Sequence, residues 1–209
     1  MNAFINKINE NLRENKLIYI IITITFIIGL ILGVYSTLYM SQSSKSDVTS
    51  YFNSFVSSVS DKQINYKDLV IESVKNNLIF FVSILLLGLI FIGAPFVLLI
   101  VLGKGFLIGF SFSLLVNVLG NRGIGLALIA LLPQNIVIVP FIIICSSLSI
   151  QFSMAKLKSK FTKSIMSNEA IVSYVNFYLF SAVFLVAGIF LETYIVPNLM
   201  KIIIKKFYV

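Results

Sequence analysis

The chain has 209 residues, of which 58% are hydrophobic and only 11% charged, with a net charge of +8, one cysteine and no histidine. A soluble domain carries roughly 25% charged residues, and a water-soluble globule of this size could not bury so much apolar surface, whereas a bilayer can accept it. The missing histidines exclude His-based triads, His-containing zinc sites and rhomboid-type or zinc-dependent intramembrane proteolysis. The lone Cys145 lies in an apolar run, forms no intramolecular disulfide and reads as a packing residue.

Residues 1–16 are polar and mixed in charge, with Phe4, Ile5, Ile8 and Leu12 on one helical face. They read either as a cytoplasmic amphipathic segment on the membrane surface or as a lead-in to the next helix. The run 17–40 is uncharged and 24 residues long. As a helix it reaches roughly 36 Å, enough to cross a core of about 30 Å. It is longer than a signal-peptide core and lacks an A-x-A site, so it is expected to be an uncleaved span. Gly29 and Gly33 form a Gly-x-x-x-Gly that allows close helix approach.

The segment 41–77 is the one long polar stretch, with four lysines balanced by Asp47, Asp61, Asp68 and Glu72. It is expected to be an extracytoplasmic helical loop. Tyr51, Phe52, Phe55, Val56 and Val59 recur at helical spacing, either to rest on the membrane or other helices or to dock a partner. Asn65 can cap a helix that leads through Leu69, Val70 and Val74 into the second span.

That span is expected over 78–102, kinked at Pro95 and ended by Gly103, Lys104 and Gly105. The next apolar run, 106–119, is only 14 residues long. It predicts a third span over 105–120 that is either short or re-entrant. Gly105 and Gly109 give a second Gly-x-x-x-Gly, and Asn121, Arg122 and Gly123 a turn. The fourth span, 124–150, is broken at Pro133, with Pro140 beyond it and the polar pair Gln134 and Asn135 beside the break. A basic cytoplasmic loop, 153–169, carries Lys156, Lys158, Lys160 and Lys163. A fifth span, 171–195, and a tail, 196–209, complete the chain.

The fold expected is therefore all-α: a single membrane domain, 1–209, forming a polytopic integral membrane helix bundle with about five transmembrane helices, the third and fourth irregular. The clustering of lysines between apolar runs fits anionic headgroups rather than nucleic acid. Orientation is tied. With the N-terminus inside, the inner segments hold Lys7, Arg13, Lys16, Lys104 and the four lysines of 153–169. The outer ones hold Lys45, Lys62, Lys67, Lys75, Arg122 and the three tail lysines, an equal number.

Charged groups inside spans are expensive and point to function. Lys104 and Glu192, with Gln134 and Asn135, are the candidates. Lys104 and Glu192 sit either at the interface, reaching headgroups and water, or in a buried polar cluster. No catalytic constellation, metal-ligand set or cofactor motif is present: Ser111 and Ser113 do not form a G-x-S-x-G elbow, and no acid cluster would hold a metal.

The stretch Phe91-Ile92-Gly93-Ala94-Pro95, then Gly103-Lys104-Gly105-Phe106, Ile108-Gly109-Phe110, Leu131-Leu132-Pro133-Gln134-Asn135 with Pro140, and finally Glu192-Thr193-Tyr194-Ile195-Val196-Pro197, resembles the stage II sporulation protein M family. In the wider family His-Gly often follows the proline, so any role tied to that histidine does not carry over. The resemblance implies a non-enzymatic scaffold in the cell membrane of endospore formers, acting in engulfment and localising two peptidoglycan-degrading partners that resemble stage II sporulation proteins P and D. It also implies five spans with the N-terminus inside, which sets 41–77 facing the wall. A small-solute transporter or channel using the broken fourth span and Glu192 is the alternative. Oligomeric state is open.

Overall fold

The computed structural model describes residues 10–44, 46–50, 65–162 and 168–207, and among them only helices and turns occur. Five helices are long and apolar enough to cross a membrane. They are α1 (Lys16–Leu38), α2 (Tyr66–Gly88), α3 (Gly93–Leu119), α4 (Asn121–Thr162) and α5 (Asn168–Phe190). A π-helical turn, Leu191–Ile195, joins α5 to α6 (Val196–Phe207). The partner-docking candidates Tyr51, Phe52, Phe55 and Val59 lie outside the described residues.

Helix α1 shows how the bundle separates its two apolar surfaces. Its buried residues are Tyr19, Ile22, Phe26, Gly29, Gly33 and Thr37, spaced by three and four. Ile20, Ile21, Ile24, Ile27, Ile28 and Ile31 are exposed on the remaining faces. In water such a surface would drive aggregation. In lipid it is the solvated side, and the face with glycines and hydroxyls turns inward, because close packing rather than water exclusion drives helix association there.

The two Gly-x-x-x-Gly motifs meet each other. A Cβ on Gly29 would overlap the Leu102 carbonyl oxygen, and one on Gly33 the Phe106 carbonyl oxygen. In return, Gly105 lies under the Phe26 carbonyl oxygen and Gly109 under that of Leu30. The register ascends together on both helices, so α1 and α3 run parallel, with α2 returning the chain between them.

Several boundaries differ from the sequence expectation. Helix α2 begins at Tyr66, so residues expected in the loop 41–77 and in a span 78–102 form one helix that ends at Gly88. Asn65 precedes it, but its Nδ2 donates to the Asp68 carboxylate (2.6 Å) and makes no side-chain cap. The hairpin turn is at Leu89–Ile92, which is apolar. Gly103, Lys104 and Gly105 do not end a span: they lie inside the uninterrupted 27-residue α3. Pro95 is its third residue, in the first turn, where a missing N–H breaks no helical bond and no kink follows. The third span is thus full-length rather than short or re-entrant.

Helix α4 is likewise continuous through Pro133 and Pro140 and runs 42 residues, absorbing the segment expected as the basic loop 153–169 up to Thr162. Its length is about 63 Å. Surrounded by lipid, a chain has no partner for exposed backbone groups except itself, so it keeps the helix across a proline. Side chains help: Gln134 Nε2 donates to the Ala130 carbonyl and Asn135 Nδ2 to that of Leu131, both at 2.7 Å. The expected turn at Asn121–Gly123 is instead one residue earlier. Gly120 alone joins α3 to α4, at φ 60° and ψ −143°, a conformation essentially confined to glycine. Finally, the expected tail 196–209 is helical through Phe207, and α6 packs on α4.

The C-terminal end of α4 clamps the α2–α3 turn. Ser153 Oγ donates to the Ile90 carbonyl (2.8 Å) and accepts the Ala94 N–H (3.1 Å). Lys156 Nζ donates to the Leu89 carbonyl (2.7 Å), a cation at the C-terminus of α2. Lys160 Nζ sits 3.9 Å from the Phe91 ring centre. The residues before α1 are tied to the same end of α4, where Asn11 and Gln151 exchange amide hydrogen bonds of 2.9 and 3.0 Å.

Candidate functional site

Lys104 is the twelfth residue of α3, roughly 17 Å along a helix of about 40 Å. A charge at that depth is expensive in lipid, and the structure gives it protein partners. Its Nζ donates to Asn77 Oδ1 at 3.1 Å and lies 5.0 Å from the centre of the Phe80 ring. The other end of the same amide, Asn77 Nδ2, donates to Glu192 Oε2 at 2.8 Å. Ser73 Oγ donates to that carboxylate oxygen too, at 2.6 Å. No ion pair joins Lys104 directly to Glu192 among the described residues. The two charges are linked through Asn77, and three parts of the chain are held together: α2, α3 and the π turn.

The π turn has a local cause. Pro197 is the second residue of α6 and has no N–H for the Thr193 carbonyl. The helix widens just before it, with the Val196 N–H reaching Leu191 O, while Thr193 Oγ1 donates to the Ile189 carbonyl (2.8 Å). The extra residue in that turn sets Glu192 against α2. Isolated π turns of this kind are common at functional sites.

Of the residues singled out from sequence, Lys104, Gln134, Asn135 and Glu192 all line one cavity of about 410 Å³. Gln134 and Asn135 do not hydrogen-bond Glu192 or Lys104; their amide nitrogens are used on the backbone of α4. Gln134 is 7% exposed and its Oε1 has no hydrogen-bond partner. Pro133 lies one residue before it and shapes the helix rather than the cavity wall.

Ser73 and Asn77 were not among the sequence candidates. A hydropathy scan assigns them to the polar loop, since Lys67, Asp68, Glu72, Lys75 and Asn76 surround them. The signal that would have found them is their i, i+4 spacing on a helix already expected to start near Asn65.

Two further polar nodes join helices. Ser149 Oγ lies within hydrogen-bond distance of the hydroxyls of both Tyr174 (2.8 Å) and Tyr178, and the same two hydroxyls reach the carbonyls of Leu85 (3.0 Å) and Cys145 (2.8 Å), so three protons are shared among four contacts. Gly88 leaves room for the Tyr174 hydroxyl, which a Cβ would overlap. Near the opposite end, Thr37, Ser113 and Asn117 link α1 to α3, with Thr37 and Ser113 hydroxyls 2.5 Å apart and Asn117 Nδ2 donating to Thr37 at 3.0 Å.

No curated protein and no solved structure matches the chain. The family model for stage II sporulation protein M matches residues 22–197, a range that runs from within α1 through the π turn and contains every residue of the Lys104–Asn77–Glu192 cluster. This five-helix membrane protein belongs to the stage II sporulation protein M family.

Proposed function

We propose that the chain is a non-enzymatic scaffold of the sporulation machinery. It sits in the septal, later engulfing, membrane of the mother cell and positions membrane-anchored peptidoglycan-degrading partners during forespore engulfment. The family match over residues 22–197 carries this reading. The use of its polar groups supports it: Ser73, Asn77, Ser149, Tyr174 and Thr37 spend their hydrogen bonds joining helix to helix, as a rigid platform requires. The cell-wall chemistry then belongs to the partners. The same match favours a sporulation role over the solute transporter or channel.

The test is affinity purification of the tagged full chain from sporulating cells after crosslinking. Co-purification of cell-wall hydrolases, lost when engulfment is blocked before septation, is expected. Recovery of the chain in an intact complex free of any hydrolase would overturn the scaffold reading.

A further inference from the structure

The cavity beside the Lys104–Asn77–Glu192 link retains hydrogen-bonding capacity of both signs. Glu192 accepts Ser73 and Asn77 on Oε2 alone, which leaves Oε1. Lys104 donates one hydrogen bond, to Asn77, from an ammonium that has three N–H groups. Half-used charges are costly in a low-dielectric interior, and Lys104 and Glu192 both line this cavity, so the occupant of this space must offer both donors and acceptors. An anion alone would suit Lys104 and oppose Glu192. A cation alone would do the reverse. The volume, about 410 Å³, falls in the range of small-molecule sites.

We propose that this cavity binds a small zwitterionic group. Its ammonium end meets Glu192 Oε1, and its carboxylate or phosphate end meets Lys104. Two sources share this chemistry: the headgroup of phosphatidylethanolamine and a free neutral α-amino acid. The proposal stands independently of the scaffold reading, since it rests on the cavity alone.

The full chain is reconstituted in nanodiscs of phosphatidylglycerol, with either phosphatidylethanolamine or a mixture of neutral α-amino acids added. Ligand retention is read by native mass spectrometry and the unfolding midpoint by thermal denaturation. One arm is expected to show a retained ligand and a midpoint raised by roughly 5 °C at about 100-fold excess over Kd; which arm identifies the source. Glu192→Gln and Lys104→Met are expected to lose both signals. Wild type that retains neither probe and shows no midpoint shift overturns the proposal, as does retention unchanged in a folded Lys104→Met. The wild-type retention measurement decides the matter even if a variant does not fold.

Discussion

At Asn77 both halves of one side-chain amide are in use, the oxygen on Lys104 and the nitrogen on Glu192. Replacing it by leucine strands two charged groups at once, which is the expensive direction of a buried hydrogen-bond loss. Asn77→Leu is expected to lower stability by about 2 kcal/mol or more, as measured by denaturant unfolding in mixed micelles. The pair Lys104→Met with Glu192→Gln is expected to cost less together than the sum of the two single changes, because each single change leaves the other charge uncompensated. Strict additivity in that cycle would show that the two residues do not share one network. Gly120 is the second sensitive position. Its φ of 60° with ψ of −143° excludes a side chain, so Gly120→Ala is expected to cost about 1–3 kcal/mol in the same assay.

At the scale of elements, the α1–α3 contact depends on four missing side chains. Gly33→Leu or Gly109→Leu would push backbone from backbone, for a loss of about 1–3 kcal/mol from overpacking. Reduced steady-state level in cells and a lower unfolding midpoint would be the readouts.

These elements also show what was legible beforehand. The helix α1, Lys16–Leu38, nearly coincides with its apolar run because basic residues and then serines bound it. The α2–α3 turn was not legible, since Leu89, Ile90, Phe91 and Ile92 are as apolar as the helices they join and nothing in hydropathy marks them. Conversely, Gly103-Lys104-Gly105 looks like a break only if its residues are taken one at a time. Gly105 is a contact surface for α1, and Lys104 is matched by an amide from a helix 27 positions away in sequence. The cluster was half legible for the same reason: its charges stand out in apolar runs, while Ser73 and Asn77 are hidden in a polar one.

For the whole molecule, five crossings place residues near position 10 and residues near position 207 on opposite sides of the membrane. Reporter fusions at the two ends are expected to give opposite signals, with the N-terminal one cytoplasmic if the family orientation holds. Equal signals would require an even number of crossings. The parallel course of α1 and α3 already demands an odd number of passes between them, which α2 supplies.

The clamp that α4 places on the α2–α3 turn also sets an order of events during synthesis. The Leu89 carbonyl emerges from the ribosome 67 residues before the Lys156 ammonium that it will accept. Until then the newly inserted hairpin has a turn held only by its own backbone hydrogen bonds, Ile90 N–H to the Leu87 carbonyl and Gly93 N–H to that of Ile90. The nascent protein therefore passes through a stage with three helices inserted and an unclamped turn, and the arrival of the fourth helix adds the clamp. Quality-control proteases that survey that surface would meet their best opportunity in that interval, and a chain carrying both Ser153→Ala and Lys156→Ala would remain open to them after translation ends.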